Sequence, residues 1–244
     1  LVCGMLVMAM IDGEASPAET DLCEAYRAAL DVDAYEVATV RKLSHGHFML
    51  ARFDVLRRFW AGERYLDDAK KRGLLWVLKG LAASFKIAEN PELTARYRAT
   101  AAYPEGTLGR AYYDSMVDNG FPFPGEKGCG PETIILHDLT HVISGYGTDP
   151  SSEICVSAFH AGYRRQEPFT FILFTMIQFQ LGIKIAPLAE PTKLKFEPER
   201  VLEALRRGSL MCADLTDGTW DYWADMRLPL AEVRAKYGVV PEQL

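Results

Sequence analysis

The chain has 244 residues, 49% of them hydrophobic and 25% charged, the balance of an ordinary soluble globular protein with enough length to bury a sizeable core. Its formal net charge of −6 supplies no overall positive field for phosphates, which argues against nucleic acid as the main partner. The five cysteines (Cys3, Cys23, Cys129, Cys155 and Cys212) are odd in number and show no C-x-x-C spacing, which argues against a disulfide framework and for an intracellular setting.

The apolar start, LVCGMLVMAMI, has no basic stretch before it and no small-residue cleavage site after it, so it reads as a buried helix rather than a signal peptide. SPAETDLCEAYRAALDVD opens with Ser16 as N-cap, Pro17 at the first helical position and Glu19 completing a capping box. HFMLARFDVLRRFWAG and LDDAKKRGLLWVLKGLAASFKIA repeat apolar residues at three-to-four spacing, the mark of core-facing helices. NPELTARYRATAA starts from an Asn90 cap with Pro91 behind it, and TLGRAYYDSMVDNG stops at Asn119-Gly120. A Pro/Gly-rich loop, FPFPGEKGCG, follows over 121–130.

The stretch PFTFILFTMIQFQLGIKIAP (168–187) is free of charge between Glu167 and Lys184. That gap of 16 residues is short of the roughly 20 that span a bilayer, and Gln178 and Gln180 interrupt it, so a buried core helix is expected. The alternative is that Phe169, Phe171, Phe174 and Phe179 line a tunnel for a long ligand. EPERVLEALRRGSL and PLAEVRAKYG add two short helices. Alternating strand patterns are scarce and no repeat is evident. The predicted fold class is all-α, a multi-helix globular domain.

One segment, HDLTHVISGYGTDPSSE (137–153), carries chemistry. Pro131 can occupy a first turn, and ETIILHDLTHVIS continues as helix until Gly145 stops it. His137 and His141 then lie on one face, one turn apart, which is how a helix presents two imidazoles to a metal. Asp138, one step round, can ligate or orient a ligand. Asp149 and Pro150 restart a helix whose opening turn holds Glu153, able to fold back towards the histidines. Two neutral nitrogens with one or two carboxylates suit a divalent zinc, iron or manganese ion and leave positions open for water or substrate. The competing reading is a buried helix with two hydrogen-bonded histidines. A metalloprotease would place Glu after the first His, where Asp138 is a methylene shorter. An HD-type phosphohydrolase would draw on His45 or His47 with Asp214 or Asp217, a grouping nothing favours.

H-D-x-x-H followed after eleven residues by E resembles the signature of the Coq-four family of ubiquinone-biosynthesis proteins. The likeness extends through GYGTDP, upstream to YPEGTLGRAYYDSMVDNGF (103–121), and downstream to LEALRRGSLMCADLTDGTWDYWADMRLPLAEVRAKYGV. It covers about residues 46–244, as one helical domain. Residues 1–45 form a separate N-terminal helical segment, where LVMAMIDGEASPAETDLCEAYRAAL resembles the helix–DGE–helix element of tellurium-resistance TerB-like domains.

The resemblance implies an all-helical fold, a hydrophobic cavity for an isoprenoid tail, and a metal bound by His137, Asp138, His141 and Glu153. It further implies work on a prenylated aromatic quinone precursor: removal of the ring carboxyl at carbon one, with hydroxylation there. The alternative is a non-catalytic isoprenoid-binding scaffold that organises quinone-biosynthesis enzymes. Asp138 and Arg110 are the catalytic candidates, Arg110 because its guanidinium fork suits a substrate carboxylate; a structural salt bridge is its other reading. Tyr146 either stacks on an aromatic ring or closes the turn. His160, on the same helix face as Glu153, is an extra ligand, a proton carrier or a structural histidine. Trp220, Tyr222 and Trp223 default to core. The expected partners are the prenylated precursor, other quinone-biosynthesis enzymes, a homodimer mate and the membrane surface, with a cytoplasmic location peripheral to the membrane's inner face.

Overall fold

The computed structural model describes residues 1–58, 73, 89–130, 132–185 and 189–242. Twelve α-helices are found among them and no strand: α1 (Val2–Ala9), α2 (Pro17–Ala29), α3 (Tyr35–Ser44), α4 (Phe48–Arg58), α5 (Pro91–Arg98), α6 (Leu108–Asp118), α7 (Ile135–Ser144), α8 (Pro150–Tyr163), α9 (Phe169–Thr175), α10 (Pro198–Ser209), α11 (Tyr222–Asp225) and α12 (Leu230–Tyr237). Apart from Gly73, the expected helix over 66–88 lies outside the described residues, as does Pro131.

Local chemistry sets most boundaries. Ser16 accepts the amide of Glu19 while the Glu19 carboxylate accepts the amide of Ser16, a complete capping box. Asn90, Thr107 and Asp149 cap α5, α6 and α8 through their side chains. Gly145 ends α7 in the left-handed region (φ 83°), where a side chain would be strained.

Residues 1–45 share one hydrophobic core with the remainder of the chain. Helix α1 buries only one face, through Val2, Leu6 and Ala9, while Met8 on the other stays exposed. The apolar stretch after Pro168 is buried as expected, but it is not one regular helix: α9 passes into a π-turn at Met176–Gln180. The two glutamines are fully used there. Gln178 donates to the Ala189 carbonyl (2.7 Å) and accepts from the Ile185 amide (2.8 Å); Gln180 donates to the Ile11 carbonyl (2.6 Å) and accepts from the Phe196 amide (2.9 Å). Buried amides in this arrangement tie loops to the core and cost nothing in unsatisfied polarity. No helix among the described residues is long and apolar enough to cross a membrane.

Two contacts position the segment singled out above. Helices α8 and α10 meet through Gly162 and Gly208, so closely that a Cβ on Gly208 would fall 2.0 Å from the Phe159 carbonyl oxygen. At the C-terminal end of α7 the last carbonyls, which a helix leaves without partners, are taken up from far along the chain. Arg234 donates to Ile143 (2.8 Å) and Val142 (3.1 Å), and Ser144 accepts from the Glu242 amide (2.7 Å) and from Arg207 (3.4 Å). Two guanidinium groups at this end also complement the negative end of the helix dipole.

Candidate metal centre

Helix α7 projects His137 and His141 from successive turns, their rings edge to face with centroids 4.6 Å apart. After the Gly145 break, the Asp149 side chain accepts from the amides of Ser151 (3.0 Å) and Ser152 (3.2 Å), starting α8 so that Glu153 sits in its first turn. Three donor groups therefore converge from two helices. The Nε2 atoms of the two histidines are 3.1 Å apart, Glu153 Oε2 is 3.2 Å from His137 Nε2, and Glu153 Oε1 is 3.5 Å from His141 Nε2. Ligands about 2.1 Å from a common ion are separated by roughly 3.0 Å at right angles and 3.4 Å at the tetrahedral angle, so the spacing fits a divalent ion. Among the described residues these three form the one such cluster.

The histidine tautomer is consistent with that role. His141 Nδ1 donates to the carbonyls of Gly147 (2.8 Å) and, less closely, Tyr146 (3.3 Å), which leaves the Nε2 lone pair facing the cluster. Those carbonyls are held by the turn that Tyr146 closes: its ring is buried and its hydroxyl accepts from Arg207 Nη1 (2.5 Å). Tyr146 thus closes the turn. Burial opposes the ionised form of Glu153, but the charges of His141 and His137 outweigh it and hold the carboxyl well below the usual range. Burial likewise works against charging His141, and Glu153 outweighs it, raising the imidazole. Without an ion a proton takes up the place between acid and base; a cation would displace it.

Asp138 stands apart from the three. Its carboxylate has no hydrogen-bond partner among the described residues and is pushed up to about 6, by burial first, with Glu153 adding to the rise and the two histidines softening it. It belongs to the walls of two adjoining cavities. A small inner chamber of about 120 Å³ is lined by His137, His141 and Glu153 together with Asp138 and Tyr112. A larger cleft of about 1200 Å³ shares Met116, Phe121, Asp138, Thr148 and Glu153 with it and carries further apolar wall at Phe123, Ile134 and Phe179.

Arg110 lies outside both walls: its Nε bonds Asp114 (2.8 and 3.0 Å) and one Nη the Ala101 carbonyl (3.3 Å). Of the four phenylalanines considered for a tunnel, only Phe179 reaches the cleft, and Phe171 is core. His160 is fully buried, stacked between His137 (centroids 5.8 Å) and Phe171 (4.7 Å), with Nδ1 against the Tyr163 hydroxyl (2.5 Å). It supports the His137 ring from behind rather than joining the cluster. Tyr112, absent from the sequence reading, is the functional neighbour that reasoning missed; it sits two residues beyond Arg110 in α6, and only the packing of α6 against α7 brings it to the chamber.

Fold and site together define a class, an all-helical protein with a His–His–carboxylate centre split between two helices. No family model matches the chain, and no curated protein matches it.

Proposed function

We propose that this chain is a metal-dependent enzyme of prenylated-quinone biosynthesis that removes the ring carboxyl at carbon one of a prenylated aromatic precursor. The observation that carries the metal is the convergence of His137, His141 and Glu153 within 3.1–3.5 Å of one another on the wall of a small chamber. The substrate class rests on the resemblance of 137–153 and its flanking blocks to the Coq-four family, supported by a cleft that adjoins the chamber and has Phe121, Phe123 and Phe179 in its wall.

A divalent zinc, iron or manganese ion in this donor set would supply a Lewis acid for charge developing on the substrate, and iron or manganese would add redox capacity for hydroxylation by dioxygen. The protein's own residues do the rest. Met116, Phe121, Phe123 and Phe179 offer the substrate's body an apolar face in a cleft whose wall also carries Arg98, Glu126, Lys127 and Glu190. Asp138, which burial pushes up to about 6, can in its protonated form deliver a proton to the ring carbon on which carbon dioxide leaves an electron pair. A prenylated substrate brings the protein to the membrane surface and to the other enzymes of the route.

The size of the cleft equally favours a second reading, an isoprenoid-binding scaffold in which the ion only joins α7 to α8. Metal content of protein purified without a chelating tag tests the first step: about one ion per chain in wild type, lost in His137→Ala, is expected. Wild type that folds yet refuses zinc, iron and manganese sinks the metal reading. If metal is bound, Asp138→Asn separates the two functions, since the enzyme loses turnover while a scaffold keeps both lipid binding and metal.

A further inference from the structure

Tyr112 is fully buried and clamped between Tyr97 (ring centroids 6.0 Å, 59°) and Phe123 (6.2 Å, 84°). Its hydroxyl is sealed from solvent and has no hydrogen-bond partner among the described residues, although its side chain lines the chamber that holds His137, His141 and Glu153. A buried hydroxyl left without a partner costs about 1–3 kcal/mol, which a partner in the chamber would recover. Tyr97 reaches Glu132 (3.2 Å) and Tyr222 (3.1 Å), and Tyr163 reaches His160. Tyr112 and Asp138 both stand in the chamber wall without a hydrogen-bond partner among the described residues, and an occupant of the chamber can pair with either.

Coordination and size say what kind. A divalent ion held by two imidazoles and the Glu153 carboxylate has positions left over that a carboxylate oxygen can take. The chamber, about 120 Å³, has room for roughly four waters or for one carboxylate head, and the adjoining cleft takes whatever is attached to it. We propose that the Tyr112 hydroxyl is the hydrogen-bond donor that recognises the carboxylate head of the ligand in the chamber. It fixes which oxygen faces the ion and which faces α6. The inference rests on the metal reading above and deepens it, adding a binding residue for the acidic group of the substrate. Helix α6 thereby contributes Tyr112 to the site while its Arg110 is engaged elsewhere with Asp114.

Cobalt(II) loaded into the purified chain, with acetate as probe, tests it. Visible absorption reports both cobalt uptake and acetate binding. Tyr112→Phe should take up cobalt as wild type does, bind acetate five- to tenfold more weakly (roughly one hydrogen bond), and melt no lower than wild type when metal-free, because no bond within the fold is lost. Tyr113→Phe, outside the chamber wall, should change none of these. Equal acetate affinities in wild type and Tyr112→Phe, or no acetate uptake by cobalt-loaded wild type, overturn the role of Tyr112 alone. So does a metal-free Tyr112→Phe that melts several degrees lower, since the hydroxyl would then be a structural partner. Wild type that takes up no cobalt overturns the metal reading itself, and Tyr112 with it.

Discussion

Replacing Gly208 by alanine should destabilise the protein although alanine is the better helix former. The new methyl would lie 2.0 Å from the Phe159 carbonyl oxygen, 2.9 Å from its carbonyl carbon and 3.1 Å from Gly162 Cα, where ordinary contact begins at 3.4 Å. All three neighbours are backbone, so no side chain can swing aside, and α8 and α10 must part by more than an ångström. Overpacking of this kind costs about 3 kcal/mol at the upper end of its usual range. The propensity gain of alanine over glycine offsets about 1 kcal/mol. A net loss of about 2 kcal/mol corresponds to a melting temperature lower by roughly 4–8 °C for a chain of this size. Thermal unfolding of metal-free protein, followed by circular dichroism, measures it. Gly162→Ala should cost a similar amount, and the double variant less than the sum, because one separation of the helices relieves both clashes. An unchanged or raised melting temperature in Gly208→Ala would show that the two backbones do not touch and would refute the reasoning.

Asp225 offers a pH-dependent counterpart. It is 1% exposed and accepts from Tyr237 (2.6 Å), Lys236 (2.7 Å) and Trp220 Nε1 (2.8 Å); burial works to raise its pKa, but these bonds outweigh it and the pKa is lowered. A depressed folded-state pKa contributes stability above the unfolded value of about 3.9 that fades as pH falls through the folded one. Asp225→Asn should therefore cost about 2 kcal/mol at pH 7, with the gap in urea midpoints closing below pH 4; a gap independent of pH would contradict the ion pair's role. Arg110→Ala should lower stability only slightly, as loss of a solvent-screened helix ion pair does, and leave metal content unchanged. A large drop in bound metal would place the guanidinium nearer the chamber than its bonds to Asp114 and Ala101 do.

Where structure follows from neighbours in the chain, the sequence was readable. The Ser16 capping box, the Asn90 and Asp149 caps with prolines behind them, and the Gly145 stop all depend on contacts a few residues long, and each is found in place. The same holds for the metal candidates: His137 and His141 share a face by helix periodicity, and Glu153 is returned to them by a short break. What escaped depends on packing between distant segments. Nothing local marks Tyr112 as a chamber residue, or His160 as the ring stacked behind His137, or separates Asp138 from the cluster that its neighbour joins. Periodicity also cannot foresee the π-turn at Met176–Gln180, within which Gln178 and Gln180 reach the carbonyls of Ala189 and Ile11.

The arginines that take up the end of α7 bear on the order in which this protein is made. Residues 137–153 leave the ribosome well before Arg207, Arg234 and Glu242, on which the carbonyls of Val142, Ile143 and Ser144 depend. A nascent chain halted after Glu153 would own all three donor groups and lack the brace that holds their helix at its proper length and angle. The centre in this sense waits on segments of the polypeptide that follow it by about sixty to a hundred residues.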